Sequence, residues 1–336
     1  MRILFAGSPE IACSSLAVLA ELQLTNGYPE IAAILTNPDS PKGRHGSASP
    51  TALSEAAARF SEQLAGAGRE PVIQFKFDRI DEAAAKCIQA AGKFDLLVSF
   101  AYGAIFPAEF LKLFRLGGIN VHPSLLPKYR GASPIQAAIL AQDAETGITI
   151  QTLAERMDEG DILAQEKIPL DGTETGGSLS KLIAQKSALM LSSLIKNFES
   201  AVPRPQNEAE ASYCQKTNHK SRRIDWRRSA GEIDAQIRAW SPDARCWTTN
   251  GGLELSILEG SPAWDKLGAI LSAGLPEATA KPGSVLGVDK RLGILIQCGN
   301  GIYAARVLQY QTKKALDFRA FLNGAKNFIG TVLDGH

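Results

Sequence analysis

The sequence predicts an α/β protein: a mostly parallel sheet domain followed by a small β-barrel. Three observations predict it. Short apolar runs alternate with helical stretches in the first part of the chain, starting with RILFA (2–6), IACSSLAVLAEL and IAAIL (31–35). Strand, helix and strand in that order build a parallel sheet through right-handed crossovers. A polar, proline-bearing stretch, AVPRPQNEAEASYCQKTNHKS (201–221), then interrupts the apolar periodicity as a linker does. Beyond it, short strand-like runs are separated by Gly, Pro and Asn, which suits a small barrel. The expected division is a catalytic domain at 1–201, a linker at 202–221 and a barrel at 222–336, and 336 residues suit two domains.

The elements follow in order. The 2–6 run ends at Gly7, Ser8 and Pro9; GSPE lacks G-x-G-x-x-G, so no dinucleotide cofactor is inferred. NPDSPKGRHGSASPT (37–51) is a loop rich in Pro, Gly and Ser that carries Lys42, Arg44 and His45. It reads either as a plain connector or as an arm that grips an anionic substrate. A helix is expected at 51–67, an extended piece at 71–75 and a helix at 81–91. FDLLVSF (94–100) reads as a buried strand that ends at AYGAIFP, where Tyr102 and Gly103 begin a loop. GINVH is the next strand and PIQAAILAQ a helix. GITIQTLA (147–154) and ILAQEKIPL (162–170) pair as a hairpin with the acidic MDEGD turn near its tip. A long amphipathic helix lies within 174–200. RRIDWRRSAGEIDAQIRAW opens the second unit, with Ser229 and Glu232 as a capping box. LELSIL (253–258), GSVLGV (283–288), LGILIQC (292–298) and GIYAARVL (301–308) are its strands, and AFLNGAKNF (320–328) a terminal helix.

Composition bounds the class. Hydrophobic residues at 45% and charged residues at 21% describe an ordinary globular chain, and a net charge of +1 gives no global nucleic-acid signal. The charge is unevenly placed: residues 208–336 hold 17 Lys and Arg against 13 Asp and Glu, a net of +4, leaving −3 for residues 1–207. That asymmetry points the second part toward a polyanionic partner. Five scattered cysteines without C-x-x-C read as reduced, cytoplasmic thiols, with neither a disulfide framework nor a zinc site. RILFAG is too short for a signal peptide, and no run approaches a membrane span.

The chemistry gathers in INVHPSLLPKYRGASPIQ (119–136). Asn120 and His122, two apart on a strand, point to one face. MDEGD adds Asp158 and Asp161 in a second turn. An Asn amide can donate to a carbonyl oxygen that becomes an oxyanion, a His can donate to it or relay protons, and a carboxylate can hold that His. Singly, Asn-x-His is more often a turn or a satisfied core pair; in combination these residues point to acyl transfer. No nucleophile motif such as G-x-S-x-G is present. That favours direct transfer over covalent catalysis, since no nucleophile is needed if an amine attacks an already activated donor. Spacing alone does not choose between Asp158 and Asp161.

INVHPSLLPKYRGASPIQ, together with DAETGITI and MDEGDIL, resembles the 10-formyltetrahydrofolate-dependent formyltransferases over nearly the whole chain. FAGSPE, NPDSPKGR, AYGAIFP and RIDW resemble the branch of that family that formylates methionyl-initiator tRNA. The resemblance implies a Rossmann-like catalytic domain and an OB-like barrel. It implies Asn120 on the formyl oxygen and His122 at the oxyanion. It selects Asp158 over Asp161 to orient His122 and to assist, through water, deprotonation of the amine. Ser124, Leu125, Leu126 and Pro127 match the family's folate-binding segment, with the turn at Tyr102 and Gly103 and the MDEGD loop flanking the pterin. Lys42 and Arg44 lie on the loop that reaches the tRNA acceptor stem. Arg222, Arg223 and Arg227, with Lys216, Lys220 and Arg228, would contact phosphates; a solvated linker face is the alternative for that cluster. 10-Formyltetrahydrofolate is the expected donor cosubstrate, with no metal, and a cytoplasmic monomer is expected.

Two other readings compete. A formyltransferase for a nucleotide-linked amino sugar would use the same chemistry on a similar two-domain build. A tRNA- or folate-binding protein without catalysis would not need Asn120, His122 and Asp158 together.

Overall fold

The structure is a computed structural model, and it describes residues 1–41, 47–263 and 280–334. The chain is α/β, with a Rossmann-like, mostly parallel sheet in one compact unit and an antiparallel sheet in another. The first unit comprises Met1–Pro134, Glu145–Pro169 and Ser180–Gln215; the second comprises Ile135–Ala144, Leu170–Leu179 and the chain from Lys216 onward.

The sheet of the first unit has seven strands. Their order across it is Ile162–Pro169, Glu145–Thr152, Gly118–His122, Leu96–Phe100, Arg2–Gly7, Glu30–Thr36 and Ile73–Lys76. The last five run parallel, and the first two form an antiparallel hairpin on the edge beside Gly118–His122. The central runs are apolar throughout because helices cover both faces of such a sheet; every residue of Leu96–Phe100 is buried. The covering helices start where the sequence supplies caps. Thr51 accepts from Ser54 N–H ahead of Ala52–Gly66, and Asp81 accepts from Ala84 N–H ahead of Glu82–Ala90. The helix expected within 174–200 spans Gly176–Lys196.

In the second unit, Cys246–Asn250, Leu253–Pro262, Ile302–Tyr310, Gly293–Gln297 and Val285–Asp289 pair in that order, all antiparallel. The chain end closes the sheet. Gly330 N–H donates to Val285 O and Leu333 N–H to Gly283 O, on one edge. Asp334 N–H donates to Thr249 O on the other edge. Residues 330–334 thus join the two outer strands into a barrel. The helix Ala230–Trp240 starts at Ser229 with the expected capping box to Glu232. Trp226 is buried and donates from Nε1 to Thr248 Oγ1 at 3.1 Å.

Two expectations change. The terminal helix is Phe318–Gly324 and not 320–328, because Asp317 caps it by accepting from the N–H groups of Arg319 and Ala320. The polar stretch after 201, which reads as a slack linker, is tied to the first unit. Arg204 and Ile162 exchange backbone hydrogen bonds at 2.8 and 2.9 Å, and Tyr213–Cys214 pairs with Arg130–Gly131. No helix among the described residues is long and apolar enough to cross a membrane.

Candidate active site

An open parallel sheet binds ligands beyond the carboxyl ends of its strands. Gly118–His122 ends there, with Asn120 and His122 on one face as period two requires. The edge hairpin carries Asp158 back to them, and the three side chains meet. Asp158 Oδ1 accepts from Gln151 Nε2 at 2.9 Å and from Asn120 Nδ2 at 3.4 Å, and lies 3.4 Å from His122 Nδ1. Asp158 Oδ2 accepts from Gly131 N–H at 2.8 Å. The His122 and Asp158 side chains are only 4% and 9% exposed, so their electrostatic coupling is weakly screened.

The backbone is bent to achieve this. Asp158 has φ 59° and Tyr129 φ 60°, a left-handed conformation that costs a non-glycine residue roughly 1–3 kcal/mol. Gly131 has φ 114°, and a Cβ there would collide with the carbonyl oxygen of Cys214. His122 Nε2 lies 2.9 Å from Tyr129 O. A carbonyl only accepts, so Nε2 is the donor and Nδ1 faces the Asp158 carboxylate.

The other candidate residues fall into five groups. Ser124, Leu125, Leu126 and Pro127 form a turn directly after His122. Ser124 is fully buried and donates to Lys128 O, and Leu126 N–H donates to Thr149 Oγ1 at 3.1 Å. The Tyr102 ring is 2% exposed, stacks on Phe106 at 5.4 Å and donates its hydroxyl to Phe77 O at 3.1 Å. Burial pushes that hydroxyl up to about 12. The ring is therefore core, and of the two residues only Gly103 is exposed. Lys42 and Arg44 lie outside the described residues. In the second unit, the Arg223 guanidinium sits 5.3 Å from the Trp247 ring centre, Arg222 is half-buried, and Arg227 forks onto Asp225 at 2.8 and 2.7 Å. Asp161 is exposed, and its N–H serves the hairpin by donating to Thr152 Oγ1 at 2.9 Å.

Sequence reasoning missed Gln151, Arg130 and Gln206. Gln151 had a signal, since it stands opposite Asn120 in the antiparallel register. Arg130 is fully buried, and its guanidinium takes Glu208 Oε1 and Oε2 at 2.6 and 2.9 Å, Gln206 Oε1 at 2.8 Å and the Tyr213 hydroxyl at 3.1 Å. The Glu208 carboxylate raises the Arg130 pKa, and Arg130 lowers that of Glu208. These partners lie 76–83 residues away, beyond any local pattern. Among the described residues no three His, Cys, Asp or Glu side chains gather as a metal site requires.

The formyl transferase family model matches residues 1–195, and the formyl transferase C-terminal domain model matches 216–326. The chain belongs to the formyl transferase family. Among this formyltransferase's relatives is a Treponema denticola protein named methionyl-tRNA formyltransferase, 41% identical over 336 residues and covered to 98% in both chains. HypX from Aquifex aeolicus, solved in complex with tetrahydrofolic acid, superposes with a TM-score of 0.60 at 18% identity, covering 98% of this chain and 48% of that one. An N-formyltransferase from Helicobacter canadensis, solved with folinic acid and dTDP-3-aminofucose, superposes with a TM-score of 0.60 at 19% identity, covering 90% of this chain and 98% of that one. At such identities the two structures establish a shared fold with this formyltransferase.

Proposed function

We propose that this formyltransferase moves the formyl group of 10-formyltetrahydrofolate to the amino group of methionyl-initiator tRNA, giving N-formylmethionyl-tRNA for translation initiation. The convergence of Asn120, His122 and Asp158 at the strand ends carries the reading, and the full-length likeness to a protein of that name supports the acceptor. The donor set suits a formyl carbonyl. Asn120 has two amide hydrogens, and Asp158 takes one, so the other serves the formyl oxygen.

The amine lone pair forms the new N–C bond as the carbonyl π pair moves onto oxygen. Asn120 stabilises that oxyanion directly, and His122 reaches it by turning a ring N–H away from the partner it holds at rest. Its collapse re-forms C=O and breaks the bond to N10 of the folate, which leaves with a proton. The amine loses one proton, through water to Asp158, which returns it by the same route to the departing N10 and also orients His122. The turn at Ser124, Leu125, Leu126 and Pro127, with the loop that Tyr102 and Gly103 begin, would hold the folate. Lys42 and Arg44 would grip the acceptor stem, and Arg222, Arg223 and Arg227 would take phosphates. The free cysteines fit a cytoplasmic setting, and the working unit is a monomer.

The deciding assay offers 10-formyltetrahydrofolate with methionyl-initiator tRNA or with a nucleotide-linked amino sugar. Formylation of the tRNA alone is expected; formylation of the sugar alone overturns the acceptor. His122→Ala should lower kcat by about 10²–10⁴-fold with folate binding retained. Unchanged turnover removes His122 from the chemistry.

A further inference from the structure

The segment from Arg204 to Cys214 is the part of the first unit that the catalytic motifs do not account for. Two of its polar side chains, Gln206 and Ser212, point inward. Gln206 Nε2 donates to Asp158 O at 2.8 Å and Gly160 O at 2.7 Å, and lies 3.1 Å from Gln151 Oε1. Gln206 Oε1 accepts from Arg130 Nε and Nη2 at 3.1 and 2.8 Å. The amide is thus used on both sides. Further along, Ser212 Oγ accepts from Tyr129 N–H at 2.9 Å, and Ser212 O accepts from Arg130 N–H at 2.8 Å.

These contacts fall on the two anchors of the catalytic pair. Asp158 stands in a left-handed conformation, so its carboxylate direction depends on what holds the peptides at 158 and 160. Gln206 bonds both carbonyls, and through Gln151 it also touches the amide that donates to Asp158 Oδ1. On the other side, Tyr129 O receives His122 Nε2, and Ser212 fixes the Tyr129 peptide. We propose that Gln206 is a positioning residue for the transfer, with the Arg204–Cys214 strap setting the distance between His122 and Asp158. The proposal rests on the formyl-transfer reading and adds a residue that touches neither substrate.

The test uses the full chain. Gln206→Glu keeps the size and the acceptor for Arg130 but removes both donated hydrogens. The expected result is a fall in kcat of about 10–100-fold, the scale of a small misplacement of reacting groups, with KM for donor and acceptor within about threefold of wild type. Ser212→Ala, which loosens the Tyr129 side alone, should lower kcat less, again at constant KM, and serves if the glutamate variant does not fold. Unchanged kcat per folded molecule in both variants, with only a lower Tm, overturns the proposal and leaves the strap as stabilising packing. A rise in KM at constant kcat also overturns it and assigns the strap to substrate binding. Wild-type protein that formylates neither acceptor refutes the formyl-transfer reading itself. Active wild type beside an unaffected Gln206→Glu refutes the positioning role alone.

Discussion

Residues 203–215 and 216–228 look alike in sequence, both polar and without apolar period, yet they fold by opposite rules. The first wraps Gln206 and Glu208 around a guanidinium with no solvent exposure. The second buries Ile224 and Trp226 and leaves Lys216, Lys220, Arg227 and Arg228 exposed. Its anchors are apolar packing and main-chain bonds, such as Ile224 N–H to Trp247 O at 2.8 Å and Trp247 Nε1 to His219 O at 2.9 Å. A buried charge organises one stretch and a buried indole the other. Polarity alone does not make a linker.

The difference can be broken at its strongest point. Arg130→Met removes the buried charge and strands the Gln206 carbonyl. It should destabilise the chain by about 2–3 kcal/mol in urea unfolding, less than the roughly 3–5 of a pair buried at both ends, because Glu208 is 64% exposed and stays hydrated. A change under about 0.5 kcal/mol would mean the strap is held by its main chain. The second stretch should respond in the reverse way. Arg222→Ala with Arg223→Ala should cost less than about 1 kcal/mol of stability, the Arg223–Trp247 contact included. It should lower the slope of log K against log salt for tRNA by about 2. An unchanged slope would place the phosphates elsewhere. The smallest effect concerns acid. Arg130 holds Glu208 below its ordinary 4.5. A depressed carboxylate contributes stability above that value and loses it as pH falls through the folded value. Strap protection in hydrogen exchange should therefore weaken below pH 4.5 in wild type. In Glu208→Gln it should start lower and lack that pH step.

Much of this was legible beforehand, and the physics says which part. The central strands announce themselves because a sheet covered on both faces needs unbroken apolar runs, as in FDLLVSF. Asn120 and His122 share a face by period two, and Ser229 with Glu232 marks a helix start. Asp158 and Asp161 could not be separated by spacing, because what separates them is φ 59° at Asp158, a loop conformation without a sequence period. The direction of the Tyr102 ring was hidden for a related reason: its place in AYGAIFP says nothing of the ring, which turns into the aromatic core with Phe106. Arg130, Gln206 and Glu208 were invisible because their partners are tens of residues apart.

The clasp formed by residues 330–334 has a consequence for the order of events during synthesis. Those residues supply the bonds that join Val285 and Gly283 on one side to Thr249 on the other. While the ribosome is still making them, the barrel can exist only as an open sheet with two unpaired edges, each a template for pairing with another chain. All of the first unit lies at or before Gln215. His122 and Asp158, which belong to that unit, are therefore synthesised before the barrel receives its last strand-forming residues.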